Sequence, residues 1–101
     1  MKLKTLIARN CRVQALPEDL SKLEKLEGLY LDNNKITQLP RGIYKMKNLS
    51  VLSLRGNSIT KIPDTICHLQ KLAFLDLRGN NIPAENIAEV QALLPGCKIY
   101  Y

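Results

Sequence analysis

The sequence predicts an α/β right-handed solenoid, in which short parallel strands line one concave face and a helix caps the carboxy-terminal end. Three observations predict it: leucines that recur every 23 residues, a proline-containing segment with the same period, and a change of pattern after residue 83. One repeat of this length cannot bury its own apolar face. Neighbouring repeats must therefore stack to close a continuous core.

The strands are predicted from the front half of each repeat. The second repeat has the sequence L-E-G-L-Y-L-D-N-N-K-I from Leu26 to Ile36, which is the pattern L-x-x-L-x-L-x-x-N-x-L. Side chains alternate along a strand, so Leu29 and Leu31 face the core while Tyr30 faces outward. The same columns recur in every repeat. We expect parallel strands near residues 5–8, 28–31, 51–54 and 74–77.

An asparagine column marks the turn that follows each strand. Asn34, Asn57 and Asn80 are 23 residues apart, and Cys11 occupies the same position in the first repeat. An amide both donates and accepts, so it can satisfy loop backbone groups that would otherwise be buried unpaired. We interpret this column, including Cys11, as structural rather than reactive.

The back half of the repeat predicts the convex side. A proline follows an apolar residue at the same place three times, and further apolar residues follow at triplet spacing. Proline fixes an extended entry, and triplet spacing suits a 3₁₀ or irregular turn. The recurring positions are Leu16-Pro17, Leu39-Pro40, Ile62-Pro63, then Leu20, Ile43, Ile66, and then Leu23, Met46, Leu69.

With the ending L-P-x-x-I-x-x-L, this unit resembles the typical 23-residue class of leucine-rich repeat. That ending is common in intracellular bacterial repeat proteins and in Ras-group and scribble-like proteins. The resemblance covers residues 3–101 and implies a leucine-rich-repeat solenoid. It is specific for the fold and not for the function.

The last unit departs from the repeat and predicts a cap. Apolar residues at Ile87, Val90 and Leu94 have amphipathic helix spacing, so we expect a helix over residues 84–94, with residues 97–101 as a final short extended piece. The ending L-L-P-G-C-K-I is similar to caps of bacterial leucine-rich-repeat proteins. We therefore divide a single domain, residues 1–101, into four repeats and a cap: 3–25, 26–48, 49–71, 72–83 and 84–101.

No matching cap is apparent at the other end, where the first repeat begins at Leu3. The strand edge and its apolar flank are expected to be open there, and a homodimer through this edge is one hypothesis. A monomer with a loose first repeat, or a fragment of a longer repeat array, are the alternatives. The flank consists of Leu16, Leu20 and Leu23.

The outward columns of the concave face form the candidate site for a protein partner of unknown identity. Tyrosine and arginine are enriched among binding hot spots, and both types recur in these columns. The competing interpretation is that Arg9, Asp32 and Arg55 form a surface ion-pair ladder of little energetic value. The candidate partner-binding residues are Ile7, Arg9, Tyr30, Asp32, Val51, Ser53, Arg55, Phe74, Asp76 and Arg78.

The formal net charge is +6, spread over residues 1–71, whereas residues 72–101 carry −1. A basic scaffold for nucleic acid or anionic surfaces is therefore the alternative function. No block of lysine or arginine forms a nucleic-acid patch, so solvated surface lysines explain the charge more simply.

Enzymatic and metal-binding functions have little support. Cys67 and His68 are adjacent on the convex side, and one histidine with three scattered cysteines does not supply converging zinc ligands. Gly56 and Gly79 belong to repeat turns rather than to a phosphate loop, and we expect no cofactor. The chain has no apolar stretch of about 20 residues and no secretory leader, and its cysteine count is odd. We therefore expect a cytoplasmic protein without a membrane span.

Overall fold

The computed structural model describes residues 4–14, 24–39 and 41–101. Within these ranges five strands form one parallel sheet in chain order. The four predicted strands are confirmed, each as three residues, and the final extended piece is a fifth strand. The strands are β1 Thr5–Ile7, β2 Gly28–Tyr30, β3 Val51–Ser53, β4 Phe74–Asp76 and β5 Lys98–Tyr100.

The register of the sheet follows the period of the sequence. Leu6 of β1 lies beside Leu29 of β2, and Leu52 of β3 lies beside Leu75 of β4, so each predicted column is a row of neighbours. The last step differs, because Leu75 pairs with Ile99, which is 24 residues further along the chain. The cap therefore restores the sheet register with one additional residue.

The inward leucines form a continuous core. Leu29 and Leu31 are 1% exposed and Leu52 is fully buried, as the alternation predicted. Leu6 is only partly buried, because β2 is the only described strand beside β1. The core therefore extends from β2 to β5, and the first repeat packs against one side of it.

The convex side carries 3₁₀ segments at Arg41–Lys45 and Asp64–His68, as expected from the triplet spacing. Pro63 has an extended backbone immediately before the second segment, and Ile66 points into the core. The equivalent residues of the first repeat lie outside the described residues, as does one proline of the second. These are Leu16, Pro17, Leu20, Leu23 and Pro40.

The cap contains helix α1, Ala84–Leu93, which buries Ile87 and Val90 against the end of the core. The helix ends one residue earlier than expected, with Leu94 buried as its C-cap residue. Its one buried polar residue was not anticipated. Asn86 accepts a hydrogen bond from the Ile62 N–H (2.7 Å) and donates to the Ile62 carbonyl (3.2 Å).

Replacement of a core leucine tests the stacked core. Leu52→Ala should lower the free energy of unfolding by about 2–5 kcal/mol, because it removes buried methyl groups and leaves a cavity. Leu93→Ala is the matched control, since Leu93 is 37% exposed in α1. Urea denaturation measures both variants, and equal losses of stability would contradict the assignment of the core.

The three cysteines provide a second test. Cys11 is exposed, Cys67 is half-buried and Cys97 is buried, and burial raises the pKa of the Cys97 thiol. The thiolate is the reactive form, so Ellman's reagent should modify Cys11 first and Cys97 only after denaturation. Modification of Cys97 in the native protein as fast as Cys11 would show that the cap is not packed as described.

Candidate binding face on the concave side of the sheet

Asparagine amides hold the turns that support the concave face. The Asn34 amide nitrogen donates to the carbonyls of Ala8 (2.7 Å) and Leu31 (2.9 Å). Its oxygen accepts from the backbone N–H groups of Cys11 (2.9 Å) and Val13 (3.1 Å). One buried side chain therefore joins the turn of the second repeat to that of the first.

The next two asparagines repeat this arrangement, which confirms the structural role predicted for the column. Asn57 donates to the Leu31 carbonyl at 3.0 Å, and Asn80 donates to the Leu54 carbonyl at 2.8 Å. Each also accepts an N–H from the preceding repeat. Cys11 lacks an amide and is exposed, and its thiol donates to a carbonyl of its own turn.

A row of left-handed residues completes these turns. Asn10, Asn33, Gly56 and Gly79 stack 23 residues apart, with φ between +57° and +76°. A Cβ at Gly56 would collide with the amide oxygen of Asn33. Glycine is therefore required there by both its backbone conformation and the close approach of the neighbouring turn.

The apolar part of the concave face lies on both sides of the sheet centre. Ile7 is 58% exposed and Phe74 is 46% exposed, while Tyr30 and Val51 are half-buried. The register places Ile7 beside Tyr30 and Val51 beside Phe74. The ring of Tyr30 leans over Gly28, whose missing side chain leaves room for it. The face therefore presents two apolar pairs rather than one unbroken diagonal.

The structure changes the description of Ser53. The alternation placed it among outward residues, yet its side chain is only 7% exposed. Its hydroxyl donates to the carboxylate of Asp32 on the neighbouring strand side, and that carboxylate also pairs with Arg9 (Nε to Oδ2, 3.1 Å). Arg9 in turn lies 5.1 Å from the centre of the Tyr30 ring. Ser53 thus supports the face rather than offering a free hydroxyl.

A second ion pair lies at the other end of the face. Arg78 binds Asp76 through two side-chain contacts (2.8 Å and 3.0 Å), and its backbone N–H donates to the same carboxylate (3.1 Å). The guanidinium lies 5.3 Å from the Tyr100 ring, and the Lys98 ammonium lies 5.6 Å from it. Lys98 and Tyr100 were missed as face residues, because the final segment lacks the repeat pattern that would assign its register.

Arg55 differs from the other two arginines. Its side chain is exposed, and none of the carboxylates in the described ranges forms an ion pair with it. The predicted ladder therefore reaches from Arg9 to Asp32 and stops there. Arg55 is the guanidinium of this row that remains available to a ligand.

The other chemical candidates do not converge. His68 is exposed on the convex side, where its ring meets Tyr44 edge-on with centroids 5.9 Å apart. Among residues 4–14, 24–39 and 41–101, no three histidine, cysteine or acidic side chains are grouped so as to hold a metal. No helix within these ranges has the length and apolarity of a bilayer span. A groove of about 400 Å³ between the third repeat and α1 is lined by mixed polar and apolar groups.

The Asp76–Arg78 pair predicts a pH effect. The hydrogen bond from Arg78 holds the pKa of Asp76 below its ordinary value of 3.8. Because the folded pKa is the lower one, Asp76 stabilises the fold above its unfolded pKa, and this contribution is lost as the pH falls through the folded value. Arg78→Gln should raise the pKa of Asp76, measured from its carboxyl carbon by NMR. Arg55→Gln removes the same charge but no hydrogen bond, and an equal shift in both variants would contradict this cause.

Two family models match the chain. A leucine-rich-repeat model matches residues 24–82, and a model of two leucine-rich-repeat copies matches residues 2–43. No curated protein sequence matches it.

Several solved structures share the fold. A leucine-rich-repeat protein of Leptospira interrogans is 36% identical, with a TM-score of 0.86, over 89% of this chain and 23% of its own. An internalin of Listeria monocytogenes is 20% identical, with a TM-score of 0.71, over 85% and 24%. The leucine-rich-repeat ectodomain of an Arabidopsis thaliana receptor kinase is 31% identical, with a TM-score of 0.68, over 76% and 44%. The chain thus spans less than half of each of these proteins, and it belongs to the leucine-rich-repeat family.

Proposed function

We propose that this chain is a protein-interaction module that binds a partner protein on the concave face of its sheet. The leucine-rich-repeat fold is a typical protein-interaction module, and proteins of this family are generally non-enzymatic binding scaffolds. The observation that carries the proposal is the exposure of Ile7 and Phe74 on a face whose Tyr30 and Tyr100 rings carry arginines. Tyrosine and arginine are the side chains that dominate binding hot spots.

The rigidity of this face supports the proposal. Arg9 and Arg78 are each held by an aspartate and by an aromatic ring, and the strands beneath them are fixed by the asparagine contacts. A partner would therefore order few additional side chains on binding. Less of the gained contact energy is lost to conformational entropy when the surface is already organised.

A second candidate function is self-association through the outer edge of β1. Among the described residues β1 pairs only with β2, so its other side presents backbone donors and acceptors that a second copy can extend. The apolar flank named for this dimer lies outside the described residues. Light scattering over a range of protein concentrations tests it, and a monomeric mass throughout would exclude it.

The concave face is tested by capture of a partner with matched variants. Replacing Tyr30, Arg55 and Phe74 together by alanine should reduce cross-linked capture of the partner by about tenfold or more, because hot spots dominate affinity. The control replaces three exposed residues away from the face by alanine, namely Tyr44, Lys61 and Leu93.

Both variants must unfold in urea at the wild-type midpoint, since the comparison requires intact folds. Loss of capture by the first variant alone supports the concave face. Equal capture by all three proteins would contradict it. Binding that declines steeply with salt, together with retention on heparin, would instead favour the basic-scaffold function.

A further inference from the structure

A line of small side chains runs along β3 across the concave face. Val51 is half-buried and Ser53 is buried, and larger residues flank them on the neighbouring strands. Phe74 lies beside Val51, while Tyr30 lies beside Ser53. The hydroxyl of Ser53 already donates to Asp32, so this line offers no free polar side chain along the strand.

The line ends at an arginine without a partner among the described carboxylates. Arg55 follows β3, and its exposed guanidinium stands between two neutralised pairs, Arg9–Asp32 and Asp76–Arg78. Adjacent strands are about 4.8 Å apart, so these pairs lie close on both sides. One positive charge therefore remains at the end of an otherwise apolar line.

We infer, on the basis of the proposed function, that the partner presents an extended acidic segment along β3. An apolar side chain of the segment packs against Val51 and Phe74, and a carboxylate pairs with the guanidinium of Arg55. The backbone distance from residue 51 to residue 55 is about 13 Å at about 3.3 Å per residue. The apolar and acidic side chains of the ligand are therefore about four residues apart.

The chemistry favours a carboxylate over a nucleic acid. Guanidinium and carboxylate form paired, charge-assisted hydrogen bonds, and a single free guanidinium matches a single carboxylate. A nucleic acid brings a row of phosphates, which would meet Asp32 and Asp76 on either side of Arg55. Those carboxylates repel successive phosphates, whereas they leave room for an isolated acidic side chain.

Selection from a phage library of random twelve-residue peptides tests this inference, with the full chain as the immobilised target. Enriched peptides should carry Asp or Glu three to five positions from an aromatic or large aliphatic residue. Synthetic copies should bind Arg55→Gln about tenfold or more weakly, because a charge-assisted hydrogen bond is lost. Phe74→Ala should weaken them as well. Lys61→Gln, which removes an exposed positive charge in the groove beside α1, should bind them like the wild type.

The possible failures are distinguishable. Peptides that require Phe74 but tolerate Arg55→Gln, or that lack acidic residues, overturn the acidic segment and leave the concave face as a binding surface. No enrichment, or binding indifferent to Tyr30, Arg55 and Phe74, overturns both. A fluorescent twenty-nucleotide oligothymidine that displaces the peptides and is itself lost in Arg55→Gln assigns the face to nucleic acid instead. Thermal unfolding of each variant confirms that the fold is retained.

Discussion

The stacking of each turn on the preceding one depends on a buried asparagine amide. Asn34, Asn57 and Asn80 each donate to a carbonyl of the preceding repeat and accept an N–H from it. An aliphatic side chain at these positions would leave several buried backbone groups unpaired, at a cost of about 1–3 kcal/mol each. The leucine core supplies most of the stabilisation, but the amides determine that consecutive repeats meet in register.

The concave face inherits its organisation from that register. Side chains 23 residues apart become neighbours, so the identity of one position in each repeat decides which charges are paired. Arg78 finds Asp76 two residues earlier in its own repeat, whereas Arg55 has Ser53 there. Asp32 in the neighbouring repeat is already engaged by Arg9. Arg55 is consequently the arginine of this row that is left for a ligand.

The sequence predicted the four strands, the 3₁₀ segments, the asparagine contacts and the helical cap, because all of them are required to bury a periodic apolar pattern. It did not predict the burial of Ser53, since that depends on a side-chain hydrogen bond between repeats. The position of Tyr100 in the face was also missed. The last step of the sheet spans 24 residues and carries no leucine pattern, so its register became visible only in three dimensions.

Urea unfolding of Asn57→Asp tests the central claim most directly. A carboxylate keeps the shape of the amide but cannot donate to the Leu31 and Leu54 carbonyls. We expect the free energy of unfolding to fall by about 2–4 kcal/mol, since buried acceptors lose their donor. Asn81→Asp is the control, because Asn81 is exposed and follows the Asn80 contact by one residue. A change in stability for Asn57→Asp no larger than that for Asn81→Asp would contradict the claim that these amides hold the repeats together.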